Sequence, residues 1–283
     1  MNYLILDTET TIVPSVKLGD KTPQLVYNIA WVIMSKSGQI KTQKSFVVKE
    51  VWEKYQSYIF PRQGELMISQ RAKQGLYTKQ LIDGTTKIAN FKDILQELQL
   101  DLVKGNINTI NAYNVRFDKH VLQDMQSLLK ITEILNVANM IQLFNEYVPV
   151  YNIQHGFIQV APVKYQKFCV QNGFITKTGY MYQTKAETVY RFLSKNPFFS
   201  ESHTALEDCY IEACILAYIL QKKINPFPEE KLINFPVYLR ADGLTKKERV
   251  TLIAKLSQYL NDKPAKSYVS RCQQALNILN SLQ

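Results

Sequence analysis

The chain has 283 residues, 46% hydrophobic and 20% charged, a globular composition with room for one large domain or a domain with an appendage. Lys and Arg outnumber Asp and Glu by 34 to 24, a formal charge of +10 that favours a polyanionic partner, nucleic acid first. The four cysteines (Cys169, Cys209, Cys214, Cys272) form no C-x-x-C pair and no cluster, so nothing suggests a disulfide framework, and no apolar run is long enough for a membrane span. Asp7 and Glu9 arrive too early for a secretion leader, so a reducing, cytoplasmic location is expected, with Cys209 and Cys214 as small core residues.

The first element is MNYLILDTETT, where an apolar run at residues 3–6 meets Asp7-Thr-Glu9. Read as a strand over residues 4–6, it aims Asp7 and Glu9 the same way, because strand side chains alternate between faces. Two such carboxylates raise each other's pKa or take a cation between them. Residues 26–34 (VYNIAWVIM) and 39–48 read as two further strands around the turn signal Lys36-Ser-Gly38, so the sheet begins as an antiparallel meander. Residues 51–84 mix aromatic and charged side chains around Pro61, Gly64 and Gly75, and are expected to pack as short helices and loops.

A helix follows over residues 88–102, with Phe91, Ile94, Leu95, Leu98 and Leu102 on one face. Residues 107–112 read as a fourth, buried strand, and a helix after Asp118 carries Val121, Leu122 and Met125. Further helices are expected at 139–147, 185–193 and 204–221, and a small hairpin at 174–182. Asn225-Pro-Phe-Pro228 interrupts this pattern and sets a boundary: a domain over residues 1–225, then a helical extension over 226–283 that includes a helix at 246–260. The whole is α/β with a central mixed sheet.

Two places add to Asp7 and Glu9. In NAYNVRFDKHVL, Asp118 follows the fourth strand and opens a helix, where a capping role worth about 1 kcal/mol would by itself account for it. In SHTALEDCYIEACIL, His203 and Asp208 stand five apart, which on a helix is a rotation of about 500°. They share a site only if His203 lies in the entering loop, with Ser202 as the cap. Glu212 falls on the same helical face as Asp208 and reads either as a group supporting the site or, preferred, as simply solvated, and Glu201 and Glu207 receive no role.

Taken in order, Asp7-Thr-Glu9, Asn114-Val-Arg-Phe-Asp118 and His203 with Asp208 resemble the DEDDh family of 3′-to-5′ exonucleases, over residues 1–223. His203 matches the histidine form, since Thr204 stands where the tyrosine form carries Tyr; Tyr113 departs from the His often found before the Asn. Residues 184–193 (TKAETVYRFL) are similar to phage-type exonucleases of this superfamily. The resemblance implies a ribonuclease H-like fold, with a central mixed five-stranded sheet flanked by helices. It implies that Asp7, Glu9 and Asp208 ligate one of two Mg²⁺ (or Mn²⁺) ions, that Asp7 bridges to a second near Asp118, and that His203 is the general base. Thr8 and Thr10 would receive the terminal nucleotide, and Asn114 and Phe117 would flank it.

Chemistry leads to the same place. Four converging carboxylates cannot all ionise without divalent cations, and oxygen ligands without Cys or paired His favour Mg²⁺ or Mn²⁺ over Zn²⁺. Two such ions suit in-line displacement at a phosphodiester, and a neutral histidine can take the proton of the attacking water. The expected activity is release of nucleoside 5′-monophosphates from the 3′ ends of single-stranded DNA or RNA, DNA slightly favoured, in replication or repair. The alternative is a non-cleaving nucleic-acid-binding or polymerase-associated subunit on the same fold. Residues 51–84 and 151–181 read as insertions. The second interleaves Lys164, Lys167, Lys177 and Lys185 with Tyr165, Phe168, Tyr180 and Tyr182, which suits either a single strand or an ordinary amphipathic surface. The extension over 226–283 is a place for a protein partner or a packing appendage.

Overall fold

A computed structural model describes residues 2–61, 67–107, 110–129, 150–152, 162–175, 183, 185–221, 246–261, 273, 276–277 and 280. The chain groups into two compact units, Met1–Ile153 with Ser200–Phe227, and Gln154–Phe199 with Pro228–Gln283.

The first unit is built around β1 (Asn2–Ile12), which pairs antiparallel with β2 (Gln24–Ser35); β2 pairs in turn with β3 (Ile40–Val48). The β2–β3 turn needs Gly38: its φ is 87°, and an added Cβ would lie 2.9 Å from that of Ala217. β1 is longer than its apolar run, because β2 supplies a partner for each following residue. Asp7 lies opposite Ala30 and Glu9 opposite Asn28, and the register shifts only between Glu9 and Thr10. The two carboxylates therefore sit within a paired strand, held by ladder hydrogen bonds, and not at a free end.

Between β3 and the next strand come α1 (Lys49–Trp52), α2 (Gln56–Ile59) and α3 (Met67–Ile82). The expectation of short pieces at residues 51–84 is corrected by α3, which runs 16 residues straight through Gly75. Among its described side chains Tyr77 is the fully buried one, so burial leaves no apolar period there for a sequence reading to detect. β4 (Lys87–Ala89) then pairs parallel with β3. It takes the residues read as the start of a helix, and α4 (Phe91–Lys104) begins only after Asn90.

β5 (Ile110–Ala112) pairs parallel with β1, and α5 (Val115–Leu129) follows it. The chain returns to the sheet as β6 (Val150–Asn152), parallel to β5, which completes the order β4-β3-β2-β1-β5-β6. The expected mixed α/β sheet with flanking helices is present, and β6 extends it by one short strand. The second unit contributes α6 (Pro162–Gln171) and α7 (Ala186–Ser194), after which α8 (Ala205–Gln221) belongs again to the first.

Alternation along β1 separates two layers. Leu4 and Leu6 join the core formed with Ile94 and Leu98 of α4 and Val121 and Met125 of α5. Ile5, Asp7 and Glu9 point the other way, towards α8, whose Cys209 thiol lies 3.6 Å from the Ile5 carbonyl and 3.3 Å from that of Ala30. Cys209 is a core residue as expected, but Cys214 is exposed on the outer side of the same helix.

Asn28 ties these parts together. It is fully buried; its amide donates to the Phe46 carbonyl (2.8 Å) and Ser45 Oγ (3.3 Å). Its Oδ1 accepts the Tyr77 hydroxyl (2.7 Å) and the Ala205 backbone N–H (3.0 Å). One side chain thus positions β3, α3 and the start of α8 relative to β2, directly opposite Glu9.

Within the second unit Tyr165, Phe168 and Phe174 cluster with Phe192, and Arg191 stacks 4.8 Å from the centroid of Phe174. Tyr165 is fully buried, so this ring serves the core and not a stacking surface for bases. The side chains of Lys164, Lys167, Lys177, Tyr180 and Tyr182 lie outside the described residues, as do the helix expected at 139–147 and most of the hairpin at 174–182. α9 (Lys246–Asn261) is the described helix of the C-terminal segment. No helix among the described residues is long and apolar enough to cross a membrane.

Asn28→Ala would leave the Tyr77 hydroxyl and the Ala205 N–H buried without an acceptor. The expected loss of stability is about 2–4 kcal/mol, measured by urea denaturation.

Candidate active site

β1 supplies Asp7, Thr8 and Glu9, α5 supplies Asp118, and the loop into α8 with its first turns supplies His203, Asp208 and Glu212. His203 lies outside the helix, with φ at 54° in the left-handed region, which costs a non-glycine residue roughly 1–2 kcal/mol. Thr204, and not Ser202, precedes the helix, its carbonyl accepting the Asp208 N–H at 3.0 Å. Ser202 lies further out, its backbone N–H donating to Glu207 Oε2 at 2.9 Å, so Glu207 pins the loop. That turn brings one donor atom each of Glu9, His203 and Asp208 to within 4.8 Å of one another.

Asp118 does not cap its helix, because α5 starts at Val115 and places it inside the first turn. Its side chain is buried and accepts the Thr8 hydroxyl at 2.7 Å. The hydroxyl of Thr8, a residue expected to receive a nucleotide, thus orients Asp118. Thr10 is partly buried just past the register shift, and Asn114 is exposed in the turn before α5, its carbonyl accepting the Phe117 N–H at 2.8 Å. Phe117 packs against the main core.

Of the two readings of Glu212, the solvated one fails. Glu212 is 3% exposed, accepts the backbone N–H of Tyr113, and keeps Oε2 buried with no hydrogen-bond partner. Asp208 Oδ1 is likewise buried and unpartnered. The apolar surroundings of α8 allow no solvated glutamate on its inner face, which the four-residue spacing from Asp208 already marked.

Electrostatics follow from this crowding. Burial, and then the charges of Asp118, Glu212, Asp208 and Glu9, hold Asp7 well above the ordinary carboxylate range. Burial, followed by Asp118 and Asp208, does the same to Glu212. Asp208 is pushed up to about 8, by burial first and then by Glu201 and Glu9. Asp118 is pushed up to about 7 by burial, against the pull of the Thr8 hydrogen bond. Glu9 is raised as well, burial outweighing the attraction of Lys73, whose ammonium sits 3.1 Å from Glu9 Oε2. His203 is raised chiefly by its hydrogen bond to Glu201, Nδ1 to Oε1 at 3.0 Å.

Unpartnered buried oxygens in a set of mutually repelling carboxylates fit a hard divalent cation, and the donor set of carboxylate oxygens with one imidazole agrees. Sequence reasoning gave no role to Glu201, to Lys73 or to Tyr27, whose hydroxyl lies 3.4 Å from Glu9 Oε2, and it underrated Glu212. Glu212 was legible as an acid on an otherwise apolar face; Lys73 was not, since its helix shows no apolar period.

No family model and no curated protein matches this chain. Solved structures similar to it include a 3′-exonuclease in 3′-end-specific recognition of a histone mRNA stem-loop, at 12% identity over 78% of this chain and 82% of that one, with a TM-score of 0.47. A full-length 3′-exonuclease is similar at 14% identity over 83% and 92%, with a TM-score of 0.48. The nuclease domain of 3′hExo, a DEDDh family member bound to rAMP, is similar at 14% identity over 82% and 97%, with a TM-score of 0.43.

Asp208→Asn puts a neutral amide in place of a carboxyl whose ionisation the cluster opposes. In chelator the variant is expected to melt above the wild type, by roughly 2–4 °C per kcal/mol of repulsion relieved. Added Mg²⁺ or Mn²⁺ should raise the wild-type melting temperature more than that of the variant, read by differential scanning calorimetry.

Proposed function

We propose that this protein is a divalent-cation-dependent 3′-to-5′ exonuclease that removes nucleoside 5′-monophosphates from single-stranded 3′ ends, DNA slightly favoured over RNA. The observation that carries this reading is the meeting of Glu9, His203 and Asp208 within 4.8 Å, beside half-buried Asp7 and buried Asp118 and Glu212. Asp7, Glu9 and Asp208 would hold one Mg²⁺ or Mn²⁺, and Asp7 with Asp118 a second. Cations bound there supply positive charge at the phosphodiester and lower the pKa of bound water.

The chain's own groups do the rest. Glu201 takes His203 Nδ1 and leaves Nε2 to accept the proton of the attacking water. The water oxygen bonds to phosphorus, the bond from phosphorus to the 3′-oxygen of the shortened strand breaks, and that oxygen takes up a proton. Thr8 keeps Asp118 in one orientation throughout. Exposure of His203 on the outer side of the cluster leaves the approach open to a strand end. The catalytic part is assigned to residues 1–225, with 226–283 as an extension open to a protein partner. The excess of Lys and Arg over the whole chain supports a polyanionic substrate.

Incubation of end-labelled single-stranded and duplex DNA and RNA with Mg²⁺ is expected to give a ladder shortened from the 3′ end of the single strands, abolished by chelator. Asp7→Ala and Asp208→Ala are expected to remove activity while the protein stays folded by circular dichroism. Either variant at full activity would exclude that residue from the mechanism.

His203→Ala is expected to lose about 10²–10⁴ in rate while keeping its cation-induced rise in melting temperature. Partial recovery with added imidazole would identify His203 as the base. Undiminished activity in His203→Ala would rule it out.

A further inference from the structure

Helix α3 brings to the site a charge that the sequence motifs do not contain. Lys73 Nζ lies 3.1 Å from Glu9 Oε2, the lysine side chain being 14% exposed and the glutamate 18%. The Tyr27 hydroxyl meets the same carboxylate oxygen at 3.4 Å, and its ring lies 5.6 Å from the ammonium. One helical turn further on, Tyr77 donates to Asn28, the acceptor that also takes the Ala205 N–H. Both α3 and the start of α8 are thus referenced to one buried side chain, which places Lys73 at a defined position beside the acids.

A lysine on a glutamate is ordinarily a structural ion pair. Here the glutamate is one of the acids that would give its charge to a divalent cation. A largely buried ammonium then needs another anion, and the phosphodiester is the anion that enters the same space. It carries one negative charge before attack and a second, spread over its non-bridging oxygens, as the water adds. Lysine suits such a transfer, being a compact charge with three donors on a flexible stem.

We propose that Lys73 is a catalytic residue: it neutralises Glu9 in the free protein and, with substrate bound, donates to a non-bridging oxygen of the scissile phosphodiester. This rests on the exonuclease reading above.

Lys73→Met, Lys73→Gln and Lys73→Arg, each checked for a cooperative thermal transition, are compared with the wild type in two measurements. One is single-turnover hydrolysis of a labelled single strand, the other calorimetric titration with Mn²⁺ in the absence of strand. Expected are a rate at saturating strand and cation about a hundredfold below wild type in the Met and Gln variants, and recovery of most of it in the Arg variant. Mn²⁺ binding in the Met and Gln variants should equal or exceed wild type, because the ammonium no longer occupies Glu9. Wild-type rates in those two variants overturn the proposal and leave the exonuclease reading standing. Weaker Mn²⁺ binding, or loss of the cooperative transition in both, assigns Lys73 to supporting the fold and overturns it too. A wild-type protein that shortens no strand overturns the reading and the proposal together.

Discussion

Buried Asp118 and Glu212 and half-buried Asp7 and Asp208 share one cluster, each raised in pKa by burial and by its neighbours, with Glu9 beside them on Lys73. Folding brings these like charges out of water, so the surrounding structure must hold them against mutual repulsion. It does so with the most constrained parts of the fold. Two of the acids ride on a strand paired on both sides, and two on the inner face of an apolar helix. Asn28 locks that helix to the sheet opposite Glu9. The left-handed turn at His203 is a further local cost, accepted where it directs the imidazole back over the cluster.

The site also reconciles two facts of opposite sign. The chain as a whole carries an excess of 34 to 24 basic over acidic residues, whereas the cluster is intensely acidic. A basic exterior gathers polyanions, and an acidic interior repels them unless cations intervene. Substrate and cation are therefore expected to depend on each other at this site. Lys73, delivered by a helix outside the motif-bearing elements, is one positive charge that the protein itself supplies there.

The elements that could be read in advance are those whose burial leaves a period. β2, with its run of apolar residues, and α4, with Phe91, Ile94, Leu95 and Leu98, were evident at once. β1 was underestimated because its polar half looks like a loop and becomes a strand only by pairing with β2. β4 has three residues and a parallel partner far along the chain, so no local pattern reveals it. α3 escaped because Tyr77 is its one fully buried side chain among those described, leaving nothing periodic to detect. Glu212 is legible as sharing the face of Asp208, but spacing tells which face a residue shares and not how deeply that face is covered.

The sequence by itself determined the chemical identities and their order: two carboxylates alternating to one side of a strand, a third after a later strand, and a histidine and aspartate opening an apolar helix. Those follow from periodicity and residue type, which are local properties. Tertiary structure alone decided that the Thr8 hydroxyl bonds Asp118, that Glu201 orients His203, that Glu212 lies within the cluster, and that Lys73 reaches Glu9 across 64 positions of chain. Apart from Glu201, which stands two residues before His203, these contacts join segments far apart in sequence, and they depend on which surfaces the sheet and helices bury against one another.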